Sequence, residues 1–172
     1  ARPDGRSGGD PDLSILYFDA HTDMREEWDG TKWSHACAAR RCQDNHSVKN
    51  IVWVGVRNTS LGEQQYINKE QVNYGNTYDL KKILSQLSPN VYISFDVDCF
   101  DVSTMPATGT PEPGGINWYQ AMEIFEAVTR EKNVVGADIA ECAPIPTPGF
   151  HGYNFLVAKL AFKLIGYKFR KK

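Results

Sequence analysis

Four short apolar runs, at residues 13–18, 51–56, 91–95 and 134–139, restrict this chain to a narrow set of folds. Each is rich in Val, Ile, Leu, Tyr or Phe without strict apolar–polar alternation, the pattern of strands covered by helices on both faces. A shorter run at 71–74 is a fifth strand candidate. Amphipathic stretches separate the runs, at 34–43, 60–69, 78–86, 117–130 and 152–165, and the alternation predicts βα units around a mostly parallel sheet. In the fourth stretch Trp118, Ala121, Phe125 and Val128 recur at helical spacing, with Asn117 and Gln120 as a variant capping box. In the fifth, Phe155, Ala158, Phe162 and Ile165 form one stripe that Leu156, Leu160 and Leu164 widen, which predicts a helix laid on the sheet. Aromatic residues on both stripes are expected in the core. No repeat or low-complexity linker interrupts the 172 residues, so a single α/β domain is expected, with the polar, Gly-rich stretch 1–11 irregular.

Charge and composition remove several classes of function. A net charge of −2 lacks the basic excess of a phosphate-binding surface, so nucleic acid is not an expected partner. The one cationic cluster, Lys168, Arg170, Lys171 and Lys172, reads as a solvated helix end. No apolar run approaches the ~20 residues that span a bilayer, and the first eleven residues have no signal-peptide core, so a cytoplasmic protein without membrane contact is expected. Cys37, Cys42, Cys99 and Cys142 form no CxxC spacing and are expected to be reduced, with Cys99 a small buried packing residue.

The chemistry concentrates at two strand ends. Phe18-Asp19-Ala20-His21-Thr22-Asp23 follows the first run, and a backbone that stays extended would point Asp19, His21 and Asp23 to one side. Ser94-Phe95-Asp96-Val97-Asp98-Cys99-Phe100-Asp101 ends the third run and repeats the pattern with Asp96 and Asp98. Taken alone, an Asp-x-Asp after a strand is most often a turn or cap. Two such clusters side by side would crowd carboxylates that need compensation, and divalent cations supply it. Oxygen donors with an imidazole suit manganese better than zinc, and a metal pair lowers the pKa of the water it binds.

A third segment, Pro106-Ala107-Thr108-Gly109-Thr110-Pro111-Glu112-Pro113-Gly114-Gly115, holds too many Pro and Gly residues for helix or strand. It is expected as an ordered loop over the carboxyl end of the sheet. Together the three segments resemble the ureohydrolase family of arginases and agmatinases, and Thr110-Pro111-Glu112-Pro113-Gly114-Gly115 looks like the agmatinase branch. The resemblance runs from about Leu13 to Tyr167.

That resemblance implies a three-layer α/β/α sandwich with a mostly parallel sheet, two Mn2+ ions and hydrolysis of a guanidino compound to urea and an amine. It implies that Asp19 and Asp96 bridge both ions, that His21 and Asp98 complete one, and that Asp23 binds the other and orients the attacking water. His35, in Trp33-Ser34-His35-Ala36-Cys37, matches a proton-shuttling histidine, and Glu141, in Ala137-Asp138-Ile139-Ala140-Glu141-Cys142, a glutamate that pairs with the guanidinium. A homo-oligomer is also expected. Met24-Arg25-Glu26-Glu27-Trp28 does not match the arginase set that reads an amino-acid head group, which favours agmatine or another guanidino compound without a carboxylate; Glu26 and Glu27 read equally as partners for a cationic tail or as a solvated loop.

Three departures qualify the match. The family's first metal ligand is a histidine in a Gly-Gly-(Asp/Glu)-His segment, and no histidine precedes His21; Gly8-Gly9-Asp10 continues to Pro11 instead. The chain therefore reads as the carboxyl-terminal part of a longer protein lacking early strands, and a catalytically impaired metal-binding or interaction module is the main alternative. Val102 and Ala107 replace a usual Pro and Gly, with loop stiffness the expected effect. A phosphatase built on Asp96-Val97-Asp98 is a weaker alternative, because Phe100 stands where that motif has Thr or Val.

Overall fold

The computed structural model describes residues 12–144 and 151–170, so the stretch 1–11 expected to be irregular, Gly8-Gly9-Asp10 included, lies outside the described residues, as do Lys171 and Lys172. Five strands are present: β1 Leu13–Phe18, β2 Val48–Val56, β3 Val72–Tyr74, β4 Asn90–Asp96 and β5 Asn133–Ala140. Four α-helices accompany them: α1 Ala38–Gln43, α2 Leu80–Gln86, α3 Trp118–Glu131 and α4 Gly152–Phe169. All the strands pair in parallel in the order β3-β2-β1-β4-β5. The chain lays β2 and β3 outward from β1 and then returns to place β4 on the other side of β1. The strand order thus reverses between β1 and β4, and open α/β sheets carry their ligand crevices at the carboxyl end of such a reversal.

Successive side chains of β1 face opposite layers, as strand geometry requires. Leu16 and Phe18 pack with Ile93, Phe95, Ile124, Phe125 and Leu160 on the face covered by α2, α3 and α4. Ile15, Tyr17 and Trp53 pack with Met24 and Ala39 on the face covered by α1, which completes a three-layer sandwich. Phe18 stacks on Phe95 at 4.7 Å between ring centroids, and Phe125 meets Phe18 edge-on at 5.5 Å. Truncating a buried ring of this kind costs about 3–5 kcal/mol. The register places Phe18 beside both Val54 and Phe95, so Asp19 and Asp96 leave the sheet side by side. No helix of the described residues is long and apolar enough to cross a membrane.

Helix α3 begins with the expected capping box of Asn117 and Gln120 and buries Ala121, Phe125 and Val128. Two expectations are overturned. The helix expected at 60–69 is absent: turns and two 3-10 segments, Gln64–Tyr66 and Lys69–Gln71, occupy that region. The cause is Glu63, which in a surface helix would face solvent but here turns inward to accept hydrogen bonds from the Ser60 amide and hydroxyl, Thr22 and the Met24 amide. Helix α4 forms, but only the leucine flank of the expected face turns inward: Leu160 and Leu164 are buried as expected, whereas Phe155 and Phe162, expected in the core, are each 67% exposed and Ile165 is 58% exposed. Tyr153, Leu156, Val157 and Tyr167 pack against the core beside the two buried leucines. With apolar residues on both sides of the helix, helical spacing alone could not select the face.

Candidate metal centre

The first motif does not stay extended. The Asp19 amide still donates to Val54 O at 3.0 Å, continuing the ladder by one residue, and then the chain turns. Asp19 Oδ1 accepts from the His21 amide at 2.6 Å, and Asp23 sits in the left-handed region at φ 51°. Non-glycine residues avoid that region unless their surroundings hold them there. Here Glu63 accepts from Thr22 Oγ1 at 2.8 Å and from the Met24 amide at 3.1 Å, bracketing Asp23, while Trp53 Nε1 donates to Thr22 O at 3.2 Å. Tyr17 donates its hydroxyl to Asp23 Oδ2 at 2.8 Å.

The second motif forms a capped turn. Asp96 Oδ1 accepts from the Asp98 amide at 2.8 Å and so caps a 3-10 turn, Val97–Cys99. That turn swings Asp98 back toward β1, where its Oδ1 accepts from the Ala20 amide at 3.0 Å and its Oδ2 lies 3.0 Å from His21 Nδ1. The close approach needs Gly55, at φ +100°, because a β-carbon there would stand 2.6 Å from Cys99 Sγ. Cys99 itself is buried and donates to Val54 O, the packing role expected of it.

One ligand atom each from Asp19, His21 and Asp98 lies within 4.8 Å of the others, close enough to share one cation. These residues and Asp96 line a cavity of about 560 Å³ at the carboxyl end of the sheet. Asp23, His35 and Glu141 line the same cavity, outside the three-residue cluster. His35 is exposed, with Nδ1 3.5 Å from Ser34 Oγ. Glu141 follows β5 at φ 61°, so two of the three left-handed non-glycine residues, Asp23 and Glu141, face this cavity. Glu26 is exposed, with its carboxylate 3.1 and 3.2 Å from Arg40 and Arg41.

The electrostatics fit a divalent cation. Burial, together with the neighbouring charges of Asp19 and Asp98, pushes the Asp96 carboxyl up to about 10. Burial likewise raises Asp19 well above the carboxylate range. Asp23 is pushed up to about 6 by burial, against the lowering effect of the Tyr17 hydroxyl. Hydrogen bonds to Asp19 and then Asp98 raise His21 to about 10. At Asp98 burial pulls upward, but His21 and the Ala20 amide outweigh it and leave the carboxyl lowered. Carboxyls crowded and buried in this way are relieved by a cation, and an oxygen-rich donor set with one imidazole fits a divalent ion.

The model of the arginase family matches residues 6–166 of this sequence. The chain belongs to the arginase family. It is 35% identical over 158 residues to the agmatinase of Pyrococcus horikoshii, covering 89% of this chain and 54% of the relative. It is 37% identical over 164 residues to the N(1)-aminopropylagmatine ureohydrolase of Thermus thermophilus, covering 91% and 54% respectively. The solved agmatine ureohydrolase of Thermoplasma volcanium superposes with a TM-score of 0.75 at 29% identity, over 92% of this chain and 55% of that one. This arginase-family chain therefore spans about half the length of the curated relatives it matches.

Proposed function

We propose that the chain carries the carboxyl-terminal share of a manganese-dependent amidinohydrolase that converts agmatine to putrescine and urea. The observation carrying this reading is the convergence of Asp19, His21 and Asp98, with Asp96 beside them, on one cavity that also exposes Asp23, Glu141 and His35. Asp19, His21, Asp96 and Asp98 would hold one ion; Asp19, Asp96 and Asp23 would contribute to a second. Divalent ions held there would lower the pKa of a bound water, making it nucleophilic at neutral pH. Glu141 holds the planar cation by charge-assisted hydrogen bonds. Asp23 accepts a hydrogen bond from the attacking water and aims it. As the new carbon–oxygen bond forms and the carbon–nitrogen bond breaks, His35 delivers a proton to the departing amine, leaving urea. The names of the agmatinase and N(1)-aminopropylagmatine ureohydrolase relatives support agmatine over arginine.

Urea release with Mn2+ tests the reading, with agmatine and arginine compared at equal concentration. Faster release from agmatine is expected; equal or faster release from arginine would remove the substrate assignment. Asp96→Ala should abolish release while the protein still melts cooperatively, and Glu141→Gln should lose turnover while keeping its manganese. A second reading is a metal-binding module without turnover, favoured by the single imidazole in the described cluster. Manganese uptake without any urea would select it.

A further inference from the structure

We propose that Arg57 is a positioning residue whose guanidinium fork, rather than its charge, fixes the Asp98 turn and the Glu112 loop over the candidate metal centre. The inference rests on the metal-centre reading above. Arg57 directly follows β2, and its partners are main-chain carbonyls from three segments. Nη1 donates to Gly55 O at 2.7 Å and Cys99 O at 3.4 Å; Nη2 donates to Asp98 O at 2.7 Å, Phe100 O at 3.2 Å and Glu112 O at 2.6 Å; Nε donates to Glu112 O at 3.2 Å.

An arginine beside so many carboxylates would ordinarily form a bidentate ion pair. This one instead spends its planar fork on the carbonyls of the turn after β4 and of the Pro and Gly loop. Asn58 extends the clamp, donating from Nδ2 to Glu112 Oε1 at 2.6 Å. The amides of Arg57 and Asn58 both donate to Ala20 O, at 2.8 and 3.0 Å. Two consecutive residues at the end of β2 therefore tie together all three motif segments: Ala20 in the first, Asp98 to Phe100 in the second, Glu112 in the third. The Asp98 main chain is held from below by Arg57 while its side chain reaches His21 and the Ala20 amide. Lysine would preserve the charge, but its single nitrogen cannot reproduce the fork.

The test uses the whole chain and Mn2+ alone as the probe. Arg57→Lys should keep a cooperative melt, lose about 10–100-fold in Mn2+ affinity by calorimetry, and show faster hydrogen exchange across 98–115. Wild-type affinity and exchange in that variant would overturn the proposal, because charge alone would then suffice. Should Arg57→Lys fail to fold, the 15N-labelled wild type decides. Resolved, slowly exchanging Arg57 Nη–H resonances are expected, and a freely rotating, averaged guanidinium would overturn the clamp. If the wild type binds no Mn2+, the metal-centre reading falls and the exchange and resonance measurements alone judge Arg57.

Discussion

Glu63 shows what a single side chain does that no motif announces. It is 4% exposed, yet both carboxylate oxygens are used: Oε2 by the Ser60 amide and hydroxyl, Oε1 by Thr22 and the Met24 amide. Burial pulls its pKa upward, but these four donors outweigh that and hold the carboxyl below its ordinary value. A depressed folded-state pKa contributes stability that is complete above the unfolded value and is lost as pH falls through the folded one. Glu63→Ala should therefore cost about 2–4 kcal/mol at neutral pH, since it strands buried donors. The gap in melting temperature between wild type and Glu63→Ala should narrow as pH drops below the ordinary glutamate range. An unchanged gap under acid would assign the effect to packing. That Asp19, His21, Asp23, Asp96 and Asp98 meet at one cavity was legible, because polar residues at fixed spacing after a strand leave a pattern in the sequence. Glu63 was not, because two of its four donors, Thr22 and the Met24 amide, lie 41 and 39 positions away, and its nearby partner Ser60 is an ordinary helix-start residue.

Among the elements, the strands were the most legible and α4 the least. All five strand candidates form, since a short β-branched or aromatic run bounded by polar turns has few alternatives in a sheet covered on both faces. Helix α4 is apolar on more than one side, so its existence could be read and its orientation could not. Its two faces should respond differently to truncation. Leu160→Ala should cost about 2–5 kcal/mol, and Phe162→Ala should fall within about 0.5 kcal/mol of wild type. Denaturant titration of both variants checks this; a cost at Phe162 equal to that at Leu160 would show that the exposed face is covered in solution.

At the scale of the whole molecule, part of the apolar surface left exposed among the described residues lies at β5 and on α4. Among the described residues β5 pairs only with β4, Val135 is 54% exposed, and Phe155, Phe162 and Phe169 of the neighbouring helix are open. An unpaired strand edge beside apolar surface is a template for association. Sedimentation should show concentration-dependent self-association that Val135→Lys reduces, and a strictly monomeric chain at all concentrations would contradict this.

The site's two halves are far apart along the chain: the Ala20 amide and the Asp98 carboxylate that meet across β1 and β4 are separated by 78 positions. Loop closure of that length, and the parallel pairing that follows it, must be complete before the ligand cluster exists. A cation is therefore expected to bind only after the rate-limiting step. Interactions absent from the transition state slow unfolding without hastening folding. Stopped-flow refolding should accordingly proceed at the same rate with or without Mn2+, whereas the unfolding arm slows, so that the ion serves as a lock on a finished sheet.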